Sequence, residues 1–314
     1  MTGRYALVFP GQGAQKVGMG RELCAAFEAA RATFSEADAA LGEPLSRLIF
    51  DGPPETLTLT ANTQPSILTV SVACLRALGT RVALAPAFVA GHSLGEYSAL
   101  VAAGAMTFAD AVRTTRARGT FMQEAVPAGL GAMAAVLKRS EAEIAEACLR
   151  AAQGEIVSPA NFNSQDQIVI SGHAGAVERA SKLLKDGGGR VIPLQVSAPF
   201  HCALMRPAAE KLDAFLGGIR FAAPAIPIVT NVEAAPNDDA ARIRDLLVAQ
   251  VTSSVRWTDS VRFMMANGVT TFVELGPGNV LAGLIGKIGA DAKVFSAGDP
   301  GGLEAAAEAL ARLG

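Results

Sequence analysis

"AFVAGHSLGEYSAL", residues 87–100, runs from an apolar stretch into a serine flanked by glycines and out through a second, mostly apolar segment. Its G-H-S-L-G core fits G-x-S-x-G, the elbow in which glycines let the chain turn sharply from strand to helix and lift the serine hydroxyl clear of the backbone. The residues before it read as a buried strand and those after it as a helix beginning near Ser93. Ser93 then sits at a helix N-terminus, where free N–H groups favour developing negative charge. Two readings stand: a nucleophile, or a simple N-cap. A five-residue motif recurs by chance, so its partners must decide.

Working outward, "YALVFP" (5–10) reads as a buried strand and "PSILTVSVACLRALG" (65–79) as a buried helix, too long for a strand. "FADAVRTTRARGTFMQEAV" (108–126) is an amphipathic helix that ends close to Pro127. Strands alternating with helices predict a parallel sheet covered on both faces. The pattern changes after Leu130. Strand 131–138, helix 140–153, strands 155–162 and 167–172, helix 174–188 and strand 190–198 follow in the order β-α-β-β-α-β, the ferredoxin-like unit. Ser140 with Glu143 forms a capping box, and "KDGGGR" (185–190) stops the second helix. Alternation resumes with strand 226–232, helices through Gln250 and Ala266, strand 270–278 and helix 279–289. The expected fold is α/β: a large hydrolase-like domain with a parallel sheet (1–128 and 199–314), carrying an inserted ferredoxin-like subdomain (129–198).

Composition narrows the function. The chain has 314 residues, half of them hydrophobic, and 32 glycines, which suits a compact globular protein. A net charge of −2 supplies no basic field for nucleic acid or an anionic membrane surface. Charges such as Arg76 and Arg81 interrupt every apolar run before the roughly 20 residues that span a bilayer. The N-terminus enters a strand-like segment directly, without a signal-peptide pattern, so a cytoplasmic location is expected. Cys24, Cys74, Cys148 and Cys202 contain no C-x-x-C pair and have apolar neighbours, which predicts reduced, packed thiols and no metal site.

A nucleophilic serine needs a base. Of three histidines, His92 adjoins Ser93 in the tight turn, where its side chain points away from the hydroxyl; it could touch substrate. His173 falls in a turn of the inserted unit and reads as a solvated surface residue. His201, in "SAPFHCALM" (197–205), lies where the chain re-enters the large domain, a position facing the cleft. It is the candidate base, with a packed histidine as the alternative. No acid between Ser93 and His201 announces itself as the third member of a hydrolase triad. "GQGAQKVG" (11–18) is no dinucleotide fingerprint, because the third glycine would fall on Lys16.

"FPGQGAQ" (9–15), "GHSLGEYSAL" (91–100), "RGTFMQEAVPAGLGAMAAV" (118–136), "NFNS" (161–164), "APFHCALM" (198–205), "VRWTDSV" (255–261) and "ELGPG" (274–278) together resemble the malonyl-CoA:acyl carrier protein transacylases of bacterial fatty acid synthesis. The resemblance runs in order over nearly the whole chain and implies a set of roles. Ser93 is the acylated nucleophile and His201 its base. Gln250 orients the histidine through its main-chain carbonyl, which accounts for the missing acid. Gln12 and Leu94 supply backbone N–H groups to the oxyanion. Arg118 pairs with the malonyl carboxylate, a role its guanidinium fork suits; otherwise it would be a solvated charge, as Arg113 and Arg116 are expected to be.

Softer matches are Phe200, an acyl-pocket wall or plain core, and Asn161 and Asn163, pantetheine contacts or turn caps. "ELGPG" is assigned no chemistry. The implied reaction uses malonyl-CoA and acyl carrier protein and requires neither metal nor redox cofactor. Carriers of this pathway are acidic, so a basic patch at the cleft is expected, with Lys182, Lys185, Arg190 and Arg206 as candidates. A polyketide-synthase acyltransferase, a hydrolase and a non-catalytic carrier-binding module remain the alternatives.

Overall fold

The computed structural model describes residues 4–196 and 198–313. Ser197, expected inside the last strand of the inserted unit, lies outside the described residues. The chain opens with β1 (Arg4–Phe9), then α1 (Arg21–Ala26), α2 (Glu28–Leu41), α3 (Leu45–Asp51), α4 (Pro54–Thr58) and α5 (Thr60–Gly79). The quoted stretch forms β2 (Phe88–Gly91) and α6 (Gly95–Ala102), followed by α7 (Phe108–Glu124). Next come β3 (Gly131–Leu137), α8 (Glu141–Ala152), β4 (Val157–Ser164), β5 (Gln167–His173), α9 (Ala174–Asp186) and β6 (Arg190–Pro193). The remainder is α10 (Arg206–Leu216), β7 (Ile228–Val229), β8 (Pro236–Asn237), α11 (Ala240–Thr252), α12 (Trp257–Ala266), β9 (Val269–Glu274), α13 (Val280–Ile288), β10 (Lys293–Ser296) and α14 (Pro300–Ala311).

The fold is α/β. Six strands form one sheet in the order β10-β9-β1-β2-β7-β8, parallel throughout except that β8 runs antiparallel to β7. Period-two alternation divides β1 between two cores. Tyr5, Leu7 and Phe9 enter the larger cluster with α2, α5 and α7, while Ala6 and Val8 join Trp257, Met264, Leu284 and Ile285 of α12 and α13. Burial on both faces is why this strand reads as a continuous apolar run. The second sheet is antiparallel, ordered β4-β5-β3-β6. Ala134 and Val136 of β3 pack on α8 and α9, whereas Met133 and Ala135 belong to the main core.

The capping box at Ser140 and Glu143 is formed. Several expected boundaries shift. The helix expected from Pro65 begins at Thr60, so Pro65 lies inside it. Proline cannot donate to the carbonyl four residues back; Arg116 Nη1 donates to that Ala61 oxygen instead, at 2.9 Å. Arg116 also binds Asn62 and Glu43, and so it is not the solvated charge expected. The strand expected over 190–198 pairs only to Pro193, and the one expected over 226–232 only at Ile228–Val229.

"ELGPG" proves structural. Glu274 is fully buried at the end of β9 and accepts from the Leu281 and Ala282 amides at 3.0 and 2.8 Å, closing the N-terminus of α13. Burial pushes its carboxyl above the usual range, and those two amides oppose the shift. Glu274→Ala strands both donors and is expected to cost about 3 kcal/mol of unfolding free energy, readable as a lower denaturation midpoint at neutral pH.

Candidate active site

The elbow is built by steric necessity. A Cβ on Gly91 would lie 1.9 Å from the Gly95 carbonyl carbon, and one on Gly95 would lie 2.2 Å from the Phe9 oxygen. Only glycines let β2 pass so close to α6 and α6 to β1. Between them Ser93 takes a left-handed backbone, φ 51°, with its own N–H donated to Asn231 Oδ1 at 2.7 Å. Asn231 Nδ2 in turn donates to the Gly91 oxygen at 2.6 Å, so one asparagine straddles the turn.

His201 also has a left-handed backbone, φ 58°, and is almost wholly buried. Left-handed non-glycine residues are sparse and strained, and here two of them face each other. Ser93 Oγ lies 2.8 Å from His201 Nε2, and His201 Nδ1 lies 2.9 Å from the Gln250 carbonyl oxygen. A carbonyl only accepts, so Nδ1 carries the proton and Nε2 of the neutral ring is left to accept from the serine. Burial, with the Arg118 charge adding to it, drives the imidazole pKa down to about 3, which keeps the ring neutral.

Arg118 is 1% exposed, far from the solvated charge its sequence position alone suggested. Nη1 donates to Gln64 Oε1 at 2.8 Å, while Nη2 donates to Gln250 Oε1 at 2.8 Å and to Ser93 Oγ at 3.1 Å. Three of its five N–H donors are thus engaged; buried Nε has no hydrogen-bond partner among the described residues. The guanidinium also lies 5.6 Å from the centre of the Tyr97 ring. Arg113, by contrast, is half exposed and paired with Asp110, much as expected.

These groups open into a cavity of about 430 Å³ between the elbow and the second sheet. Gln12, Ser93, Leu94, Arg118 and His201 line it, and Met122, Met133, Leu194 and Phe200 add apolar surface. The backbone amides of Gln12 and Leu94 have no partner among the described residues. Phe200 therefore serves both the cavity and the main core. His92 reaches the cavity, but its Nε2 is taken by Asn163 Oδ1 at 2.8 Å, and Asn163 holds Gln167 in turn. Asn163 does not line the cavity and Asn161 does.

His173 is less free than expected, since its Nδ1 accepts from the Ile156 amide at 2.9 Å. Lys182, Lys185, Arg190 and Arg206 are exposed, yet none lines the cavity. Arg190 pairs with Leu137, four residues along β3 from Met133, and so lies roughly 13 Å from the cavity wall.

Gln64, Glu96 and Asn231 were not singled out from sequence. Gln64 precedes the helix-internal proline, Glu96 sits inside the quoted stretch, and Asn231 follows the short strand β7. A buried Glu at the start of an apolar helix was the one visible signal. All four cysteines are free, three of them buried. Among the described residues no cluster of three or more His, Cys, Asp and Glu could hold a metal, and no helix is long and apolar enough to cross a membrane.

Comparison with known proteins identifies the family. Residues 6–294 match the family model described as the acyl transferase domain. The malonyl CoA-acyl carrier protein transacylase of Salmonella typhimurium is 51% identical over 96% of this chain and 98% of its own length. The crystal structure of an acyl carrier protein S-malonyltransferase from Vibrio cholerae superimposes with a TM-score of 0.95 at 47% identity, covering 96% of this chain and 99% of that one. A malonyl-transacylase solved in complex with its type II polyketide acyl-carrier protein superimposes with a TM-score of 0.95 at 46% identity, over 98% and 99% of the two chains. The chain belongs to the acyl transferase family, among its malonyl-CoA:acyl carrier protein transacylases.

Proposed function

We propose that this protein transfers the malonyl group from malonyl-CoA to the phosphopantetheine thiol of acyl carrier protein through a malonyl ester of Ser93, in fatty acid synthesis. One observation carries the reading: the Ser93 hydroxyl is shared by His201 Nε2 at 2.8 Å and Arg118 Nη2 at 3.1 Å. A nucleophile, its base and a cation able to bind a carboxylate meet at one oxygen.

Ser93 Oγ attacks the thioester carbonyl while His201 Nε2 takes its proton. The oxyanion rests on the unpartnered amides of Gln12 and Leu94, donors fixed before the reaction begins. The tetrahedral species collapses, the C–S bond breaks, and His201 gives its proton to the departing sulfur, so that CoA leaves as the thiol and the imidazole is neutral again. The carrier thiol then loses its proton to His201 and attacks the ester. On the second collapse Ser93 recovers the proton. The Gln250 carbonyl holds the ring throughout, although a neutral oxygen stabilises imidazolium less than a carboxylate does. A malonyl carboxylate on Arg118 offsets the positive charge that lowers the His201 pKa, so a correctly charged substrate strengthens its own base.

The β-α-β-β-α-β order and strand arrangement β6-β3-β5-β4 support reading 129–198 as a ferredoxin-like subdomain inserted into a large domain of 1–128 and 199–314. Free thiols fit a reducing compartment, and the cytoplasm remains our reading of location. A second reading, service to a polyketide carrier, is favoured by the solved polyketide complex at 46% identity; relative transfer rates to the two kinds of carrier separate them.

Brief exposure to malonyl-CoA should raise the intact mass of the wild type by one malonyl group and leave Ser93→Ala unchanged; an adduct on Ser93→Ala would overturn the assignment. Arg118→Ala should lose about ten- to a hundredfold in preference for malonyl over acetyl, the equivalent of one charged hydrogen bond. An unchanged ratio of the two specificity constants contradicts the carboxylate clamp.

A further inference from the structure

Beneath the elbow lies a second carboxylate that the transfer scheme does not use. Glu96 begins the helix after Ser93, is 3% exposed, and accepts through Oε2 from the Asn231 amide and from Gln250 Nε2, each at 2.9 Å. Gln250 therefore stands between two charged groups, Glu96 at its nitrogen and Arg118 at its oxygen. We propose that Glu96 is a positioning residue for acyl-group selectivity: its carboxylate holds the Gln250 amide in the one orientation that aims the Arg118 guanidinium at the substrate's carboxylate. The proposal rests on the transacylase reading above.

A carboxylate only accepts and a guanidinium only donates, so an amide bridging them has a single satisfied orientation. Nε2 must face Glu96 and Oε1 must face Arg118. The reversed amide would set its oxygen against the carboxylate and its NH₂ against the guanidinium. Without Glu96, the nitrogen keeps the Ser93 carbonyl at 3.1 Å and a long contact to Asn231 Oδ1 at 3.4 Å, but loses the short acceptor that fixes the flip. Arg118 then loses a secure acceptor in Gln250 Oε1. Burial pushes the Glu96 carboxyl up to about 7, while the Asn231 amide, Gln250 and the Arg118 charge each favour its ionised form. Because the same Oε2 takes both hydrogen bonds, glutamine at position 96 can keep them with its single carbonyl oxygen.

The test compares Ser93 ester formation from malonyl-CoA and from acetyl-CoA in the full-length protein. Glu96→Ala should lower the malonyl-to-acetyl ratio of specificity constants about tenfold, mainly through a higher KM for malonyl-CoA. Glu96→Gln should restore most of that ratio. Gln250→Leu, which spares the backbone carbonyl on His201, should lower the ratio similarly, and adding Glu96→Ala to it should lower the ratio no further. If Glu96→Ala fails to accumulate folded, Glu96→Asp, whose shorter side chain cannot reach Gln250, takes its place. Equal losses with both substrates, a Glu96→Gln variant no better than Glu96→Ala, or additive effects in the double variant overturn the proposal. A wild type that forms no malonyl ester refutes the transacylase reading instead.

Discussion

The hydrogen bond between Ser93 Oγ and His201 Nε2 joins residues 108 positions apart, and the rest of the molecule is arranged to keep it. Each partner has a backbone that its side chain disfavours. Ser93 is held by two glycines that admit no Cβ and by Asn231 straddling the turn. His201 is held by the Gln250 carbonyl, at the end of a helix that begins far away at Ala240. Both residues are held by hydrogen bonds that do not depend on substrate, which is what preorganised catalysis requires.

Gln250 ties the site together by using each of its polar groups separately. Its carbonyl fixes the base, its side-chain oxygen holds Arg118, and its nitrogen reaches Glu96 and the Ser93 carbonyl. Placing a guanidinium and a carboxylate in a nearly dry interior is costly unless every charge finds hydrogen bonds. Here the two ions are bridged by an amide rather than in direct contact. Arg118 is therefore not neutralised by a direct ion pair, and its Nε has no hydrogen-bond partner among the described residues, which suits the carboxylate-binding role proposed for it.

Much of this was readable in advance, for definable reasons. The elbow, the buried β1 and β9 strands and the β-α-β-β-α-β unit follow from periodicity and glycine placement, which are local signals. Arg118 was identified through resemblance, because a buried arginine and a solvated one look alike in sequence. The N-terminal helices α1–α4 went unread: α1, α3 and α4 have only 6, 7 and 5 residues, and α2, though 14 residues long, is rich in alanine with few large apolar side chains to mark a face. β7 was readable, though only as part of a longer strand expected over 226–232, whereas β8 pairs over two residues, too few to leave a pattern. Gln64, Asn231 and Glu96 carry no motif of their own, and their meaning appears only when three distant segments converge. The basic residues expected at the cleft, Lys182, Lys185, Arg190 and Arg206, are exposed and do not line the cavity itself.

The central claim is that His201, held neutral against a carbonyl, is the base that makes Ser93 reactive. Rapid-quench measurement of Ser93 malonylation in His201→Ala, against the wild type in a single turnover, tests it most directly. The account predicts that acylation slows by about 10²–10⁴-fold while the variant stays folded and still binds malonyl-CoA. Acylation at close to the wild-type rate would mean that another group activates the serine.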